Sequence, residues 1–263
     1  MKGFTAFFSV LIATLAFSVH GVAQIATGPS ATAAAAAPEL QYRVMSEYPH
    51  HSTSFTEGLF WNDGNLYEST GLRGSSYLLK VDLKSGKVLL QSPLPEYVFG
   101  EGIAQMGDTI VQLTWQQQYA FVYDSKNFKL EKKFIYTGEG WGLTTDGTSW
   151  ISSNGSDTLT WRDKSTFRQQ HFIHVMWNGQ PVKNLNELEW IDGKIWANVW
   201  YTNYILQIDP QSGKVLSYID ISRLVPPETD PENVANGIAY DSEKKRIFIT
   251  GKRWPVLYEI QLK

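Results

Sequence analysis

Apolar and polar positions along this chain form a unit that recurs five times. A polar residue or glycine opens an apolar strand, a two- or three-residue turn follows, and a second strand returns. The copies run over residues 56–69, 99–115, 140–153, 185–200 and 235–250. Aligned on Gly58, Gly102, Gly142, Glu187 and Gly237, they step by 44, 40, 45 and 50 residues. That period belongs to a four-stranded propeller blade. The connecting turns have hairpin chemistry, as at Asp63-Gly64, Gly107-Asp108, Asp146-Gly147 and Asp192-Gly193.

A second half-unit repeats as well. Residues 80–89 match residues 207–216, each pair of strands meeting at an Asp-x-x-Ser-Gly turn, with looser copies at 123–126 and 161–164. Each unit therefore holds four strands. The fifth has only three, ending with Val256–Leu262, while an unassigned alternating strand, Leu40–Tyr48, lies at the other end of the chain. Placing that strand fourth in the last blade latches the ring and covers an edge that would otherwise aggregate. The expected fold is all-β, a five-bladed β-propeller over residues 40–263 closed by its N-terminal strand. An open β-solenoid is the alternative.

Ahead of the ring, Met1 and Lys2 precede an apolar run from Phe4 to Val19 and the small-residue site Gly21-Val22-Ala23. This is the pattern of a secretory leader spanning 1–23, too short for a membrane anchor. Residues 24–39, with five consecutive alanines and no apolar periodicity, are expected to form a linker. The expected destination is outside the exporting membrane, periplasmic or secreted. Cleavage would remove one charge, that of Lys2, taking the net charge from −3 to −4, and would leave Gln24 at the new N-terminus.

Composition narrows the chemistry. The chain has no Cys, which excludes disulfides, thiolate metal sites and a cysteine nucleophile. A net charge of −3 argues against a nucleic-acid surface. With 43% hydrophobic residues the chain can bury a core without covalent staples.

In a blade, the start of the first strand and the end of the second lie at one mouth of the channel. The repeat therefore gathers Phe55, Glu57, Phe99, Glu101, Trp115, Trp141, Asn186, Glu187, Trp200, Asn236 and Lys252 around one opening. Aromatic walls with a few convergent polar groups describe a small-molecule pocket. Trp150, Trp161, Trp177, Trp190 and Trp196 are expected in the core instead. None of the five His falls at the mouth, so zinc chemistry and Ser-His-Asp catalysis have no anchor there. His171 and His174 are expected to be surface residues. What remains is carboxylate acid/base chemistry with Lys and Asn as stabilisers, and an apolar pocket would push the Glu101 carboxyl up toward neutrality.

At these residues the sequence resembles a known family. Phe55-Thr56-Glu57-Gly58-Leu59, Glu68-Ser69-Thr70-Gly71-Leu72, Phe99-Gly100-Glu101-Gly102 and Gly140-Trp141-Gly142-Leu143 carry the likeness in the first three units. Leu185-Asn186-Glu187-Leu188-Glu189, Trp196-Ala197-Asn198-Val199-Trp200, Asn236-Gly237-Ile238-Ala239 and residues 249–255 carry it in the last two. Together they are similar to the plant and bacterial glutaminyl-peptide cyclotransferases, five-bladed propellers unrelated to the zinc-dependent animal enzymes of that activity.

The resemblance implies that the free α-amine of an N-terminal glutamine attacks its own γ-carboxamide, releasing ammonia and leaving pyroglutamate. It implies that Glu101 is catalytic, that Trp115, Trp141 and Trp200 form a cage, that Asn186 and Lys252 bind or stabilise, and that Phe55 and Phe99 flank the mouth. One carboxylate can take the amine proton and return it to the leaving nitrogen. Lys252 or Asn186 could face the oxyanion. The family commonly has Gln where this chain has Glu57, which we read as substrate-binding.

No cofactor or metal is expected in catalysis, and a structural divalent cation in the channel fits any reading. The expected partners are N-terminal glutaminyl peptides, with a monomeric protein, no nucleic acid and no membrane after leader cleavage. Self-cyclisation of Gln24 is a further expectation. Two other functions remain open on the residues: a non-catalytic peptide-binding propeller, and a metal-dependent lactonase-like hydrolase using Glu57, Glu101, Asn186 and Asn236.

Overall fold

Four strands per unit, all antiparallel, build each blade. The structure is a computed structural model and describes residues 36–227 and 230–263. The expected leader, Gln24 and most of the expected linker lie outside the described residues. The first strand, β1, is Tyr42–Pro49. Blade one follows as β2 (Thr56–Asn62), β3 (Asn65–Thr70), β4 (Tyr77–Val81) and β5 (Val88–Pro93). Blade two is β6 (Gly100–Met106), β7 (Thr109–Thr114), β8 (Tyr119–Asp124) and β9 (Leu130–Ile135). Blade three is β10 (Leu143–Thr145), β11 (Ser149–Ser152), β12 (Thr158–Asp163) and β13 (Gln169–His174).

A two-stranded ribbon, β14 (Met176–Trp177) and β15 (Gln180–Pro181), then stands apart from the blades. Blade four is β16 (Leu185–Ile191), β17 (Lys194–Val199), β18 (Tyr204–Ile208) and β19 (Val215–Asp220). Blade five takes β20 (Ala235–Asp241), β21 (Arg246–Gly251) and β22 (Val256–Leu262), and β1 completes it in the sheet order β1-β22-β21-β20. The register runs from Tyr42 opposite Leu262 to Pro49 opposite Val256. The N-terminal strand thus occupies the place expected of it, starting and ending slightly later than the sequence pattern indicated.

Five hydrophobic clusters, one per seam between blades, show that the ring is closed. Phe60, Leu78, Ile103 and Phe121 join blades one and two. Val111, Leu113, Leu143 and Trp150 join two and three. Ile151, Trp161, Leu188 and Ile195 join three and four, and Trp196, Ile205, Ile238 and Ile249 join four and five. The last seam packs Leu59 and Leu79 of blade one on Ala239 and Phe248 of blade five. An open solenoid would leave that pair of faces bare. Removing the apolar area of such seams from water is the main stabilising term.

Trp150, Trp161 and Trp196 are buried as expected, but Trp177 and Trp190 are only half-buried. Trp177 sits on the extra ribbon, against Tyr204 and Tyr218 at the outer edge of blade four. Trp190 lies near the end of β16 and lines a cavity at the turn end of the blades. The end of the expected linker also differs. Pro38 and Leu40 exchange backbone hydrogen bonds with Tyr218 of β19, at 3.1 and 2.7 Å, so this stretch is paired.

Candidate active site

Register breaks in the inner strands aim the polar side chains. Opposite β3, β2 steps from Thr56↔Thr70 to Gly58↔Ser69, so Glu57 is one residue too many. The same single-residue excess lies between Gly100 and Ile103 in β6, between Leu185 and Leu188 in β16, and between Ala235 and Ile238 in β20. A bulge re-aims side chains that strict alternation would send to a sheet face. Those displaced here include Glu57, Glu101, Asn186 and Asn236. Glycines next to the bulges let neighbouring inner strands touch. A Cβ on Gly142 would collide with the Asn186 carbonyl, and one on Gly102 would lie 2.5 Å from the Leu143 nitrogen.

Above this collar of glycines lies a cavity of about 420 Å³. All nine site residues expected from the sequence line it: Phe55, Glu57, Phe99, Glu101, Trp115, Trp141, Asn186, Trp200 and Lys252. Leu72, Asp230, Glu232 and Arg253 complete the wall. Phe55 and Phe99 meet edge to face at 6.2 Å, Phe99 and Trp115 at 5.7 Å, and Trp141 and Trp200 at 5.2 Å. Tyr201 stacks on Trp200 at 4.1 Å and donates its hydroxyl to Glu232.

The charged centre is a buried triad. Lys252 Nζ donates to Glu57 Oε1 at 2.7 Å and stands 4.5 Å from the centre of the Phe55 ring. Asn236 Nδ2 donates to Glu57 Oε2 at 3.2 Å. Burial pushes the Glu57 carboxyl up to about 7 although Lys252 opposes the shift. The Glu101 carboxyl is pushed well above the usual carboxylate range, first by burial and then by the Glu57 charge, with Lys252 opposing. Among the described residues no hydrogen bond holds the Glu101 carboxyl. Asn186 Oδ1 and Trp200 Nε1 are buried without a partner. A buried polar group left unpaired costs roughly 1–3 kcal/mol, and these two belong to residues that line the cavity.

Two of the expected mouth residues have other work. Glu187 sends its carboxylate across the bore and accepts from Leu59 N of blade one at 3.1 Å and Ile238 N of blade five at 2.9 Å. Asn236 also donates to the Thr56 carbonyl at 2.9 Å, tying blade five to blade one. Among the described residues no group of three or more His, Asp or Glu is placed to hold a metal ion.

Two neighbours of the site were not marked by the repeat. Glu139 receives the indole N–H of both Trp115 and Trp141. His50, which leaves the end of β1, donates toward the Trp254 carbonyl at 2.6 Å and Glu68 Oε1 at 3.1 Å, just behind the turn that carries Lys252. Burial works against charge on His50, but Glu68 outweighs it and its pKa is raised. His171 and His174 are exposed, as expected, His171 stacking on Trp161 and His174 beside Asp157.

A statistical model of the family described as glutamine cyclotransferase matches residues 15–262. A glutaminyl-peptide cyclotransferase of Arabidopsis thaliana is 40% identical over 229 residues, covering 85% of this chain and 72% of the relative. The crystal structure of Myxococcus xanthus glutaminyl cyclase superposes with a TM-score of 0.81 at 35% identity, covering 86% of this chain and 98% of that one.

Proposed function

The chain belongs to the glutamine cyclotransferase family, and on that premise we propose that it converts N-terminal glutamine of peptides and proteins to pyroglutamate with Glu101 as the proton carrier. The observation that supports this most is the Glu101 carboxyl: buried, unbonded, raised in pKa and facing a cavity walled by aromatic rings.

The α-ammonium of a peptide loses its proton near pH 8 (about 7.7–8.0). A carboxylate raised by burial accepts a proton from the amine at a smaller penalty than an ordinary one and can still return it. In the proposed sequence the amine, its ammonium proton already lost to solvent, bonds to the side-chain carbonyl carbon and gives one N–H proton to Glu101. The carbonyl oxygen becomes an oxyanion. When it collapses, the bond to the amide nitrogen breaks, Glu101 returns the proton, and ammonia leaves. Asn186 and the Lys252 donors not used by Glu57 are suited to the oxyanion. The indole and phenyl walls fold the glutamine side chain back on its own amine, which supplies much of the rate in an intramolecular closure. Glu57 binds: it holds Lys252 in place and balances its charge. No step calls on a metal.

We further propose, from the leader-like pattern of residues 1–23, that the protein is exported and works as a monomer. Among the described residues no helix is long and apolar enough to cross a membrane.

The test is ammonia release from a short glutaminyl peptide, with and without a chelator. The expected result is turnover indifferent to chelation, lost in Glu101→Gln while peptide affinity stays within a few-fold. Loss of wild-type turnover on chelation would favour a lactonase-like metal site. Binding without any ammonia would favour a peptide-binding propeller.

A further inference from the structure

Two cage indoles from either side of the seam of blades two and three are held by one carboxylate. Trp115 follows β7 and Trp141 precedes β10, so they belong to different blades. Trp115 Nε1 donates to Glu139 Oε2 at 2.9 Å, and Trp141 Nε1 donates to the same oxygen at 3.1 Å. Gln116 Nε2 occupies the other oxygen at 3.2 Å. The backbone reinforces the clamp: Gly140 N donates to the Trp115 carbonyl at 3.1 Å.

The clamp has two chemical consequences. Both indole N–H groups are consumed behind the wall, so these rings offer the cavity only faces and hydrocarbon edges. The indole of Trp200 differs, since its N–H is buried and unpartnered. A glutamine side chain in the cavity therefore meets donors on the Asn186, Trp200 and Lys252 side and none from Trp115 or Trp141, which orients its carboxamide. Hydrogen bonds to a carboxylate are also stronger than neutral ones and fix the ring angles.

We propose that Glu139 is a positioning residue of the reaction, locking two walls of the cage and turning their donors away from the substrate. The proposal rests on the cyclotransferase reading. Its charge has a second effect. The charged or titratable groups acting on Glu101 are Glu57 from β2, Lys252 after β21, and Glu139 before β10, with Tyr136 next to β9 facing it. Glu139 is on the side that raises the Glu101 pKa. Removing its charge should move the acid limb of kcat/KM to lower pH.

The experiment compares Glu139→Gln and Glu139→Ala with the unsubstituted enzyme. Readouts are kcat and KM across pH and the indole N–H resonances of Trp115 and Trp141, assigned with Trp→Phe variants. A glutamine oxygen can still accept both indoles. Glu139→Gln should keep both resonances shifted downfield and KM within about twofold, while lowering the pH of the acid limb. Glu139→Ala should lose both downfield shifts and raise KM about tenfold with a smaller change in kcat, the pattern of lost binding shared by ground and transition states. Unmoved resonances or unchanged KM in Glu139→Ala would overturn the proposal. If Glu139→Ala does not fold, an unmoved acid limb in Glu139→Gln, or Glu139→Gln resonances already at the positions of free indoles, would overturn it. No turnover by the unsubstituted enzyme would overturn the cyclotransferase reading and the role of Glu139 with it, while the resonances would report the clamp separately.

Discussion

At Glu57 a second acid shares the cavity with Glu101, and its neighbours decide what it does. Lys252 and Asn236 take its two oxygens, so its charge is partly spent. The remainder still raises the Glu101 pKa. Glu57→Gln would remove that charge, so the Glu101 carboxyl should ionise at lower pH. The expected outcome is an acid limb of kcat/KM shifted to lower pH, measured by ammonia release from pH 5 to 9. An unshifted limb would mean that Glu57 is protonated in the working enzyme. His50 and Glu68 form a different buried pair, with the imidazole 4% and the carboxylate 1% exposed. Burial would raise the Glu68 pKa, but His50, Thr56 and Ser54 lower it overall. The Glu68 contribution is therefore lost as pH falls through its lowered pKa, and the His50 contribution is lost as pH rises through its raised one. His50→Ala leaves a buried carboxylate unpaired and should cost about 3–5 kcal/mol. Chemical denaturation near pH 6 would measure this; a loss under 1 kcal/mol would contradict it.

Among the elements, the inner strands show what the sequence disclosed and what it did not. The bounds of β22 coincide with Val256–Leu262, the third strand read for the fifth unit, because its apolar residues serve two seams, Leu257 toward blade one and Ile260 toward blade four. The nine cavity residues were also legible, since the repeat fixes which strand ends share a mouth. The bulges were not: one extra residue among glycines leaves no periodic mark, yet it is what aims Glu57 and Glu101. Glu139 and Glu232 lie in connections between blades, where no period exists to single them out. Trp190 reads as core because Trp recurs in propellers between packed sheets, but its place near the strand end leaves it only half-buried. The glycine collar gives this scale its test. Gly142→Ala would drive a methyl group into the Asn186 carbonyl, forcing β16 and its amide outward. The expected cost is about 1–3 kcal/mol together with a rise in KM. Wild-type stability and KM in that variant would show that the collar has slack.

In the molecule as a whole, closure depends on a strand from the opposite end of the described chain. β1 covers β22 over its full length and delivers His50 to the back of the site. A chain beginning after Pro49 would expose the β22 edge, a template for pairing with other chains. Such a truncation should elute as oligomers or aggregate in size-exclusion chromatography. A monomeric, active truncation would show that the latch is dispensable. The five seams carry comparable clusters, so losing one face weakens a ring with no spare contact.

The Glu187 side chain reaches from blade four to the backbone of blades one and five, which narrows the bore at the level of the inner strands. On the proposed reading a peptide terminus enters the cavity, and leaves it, by the aromatic mouth. Only a protein whose first residue projects on a few residues of free chain can reach the bottom. Selection among clients then depends on how far each terminus protrudes as much as on its sequence, and a glutamine tucked against its own domain is out of reach.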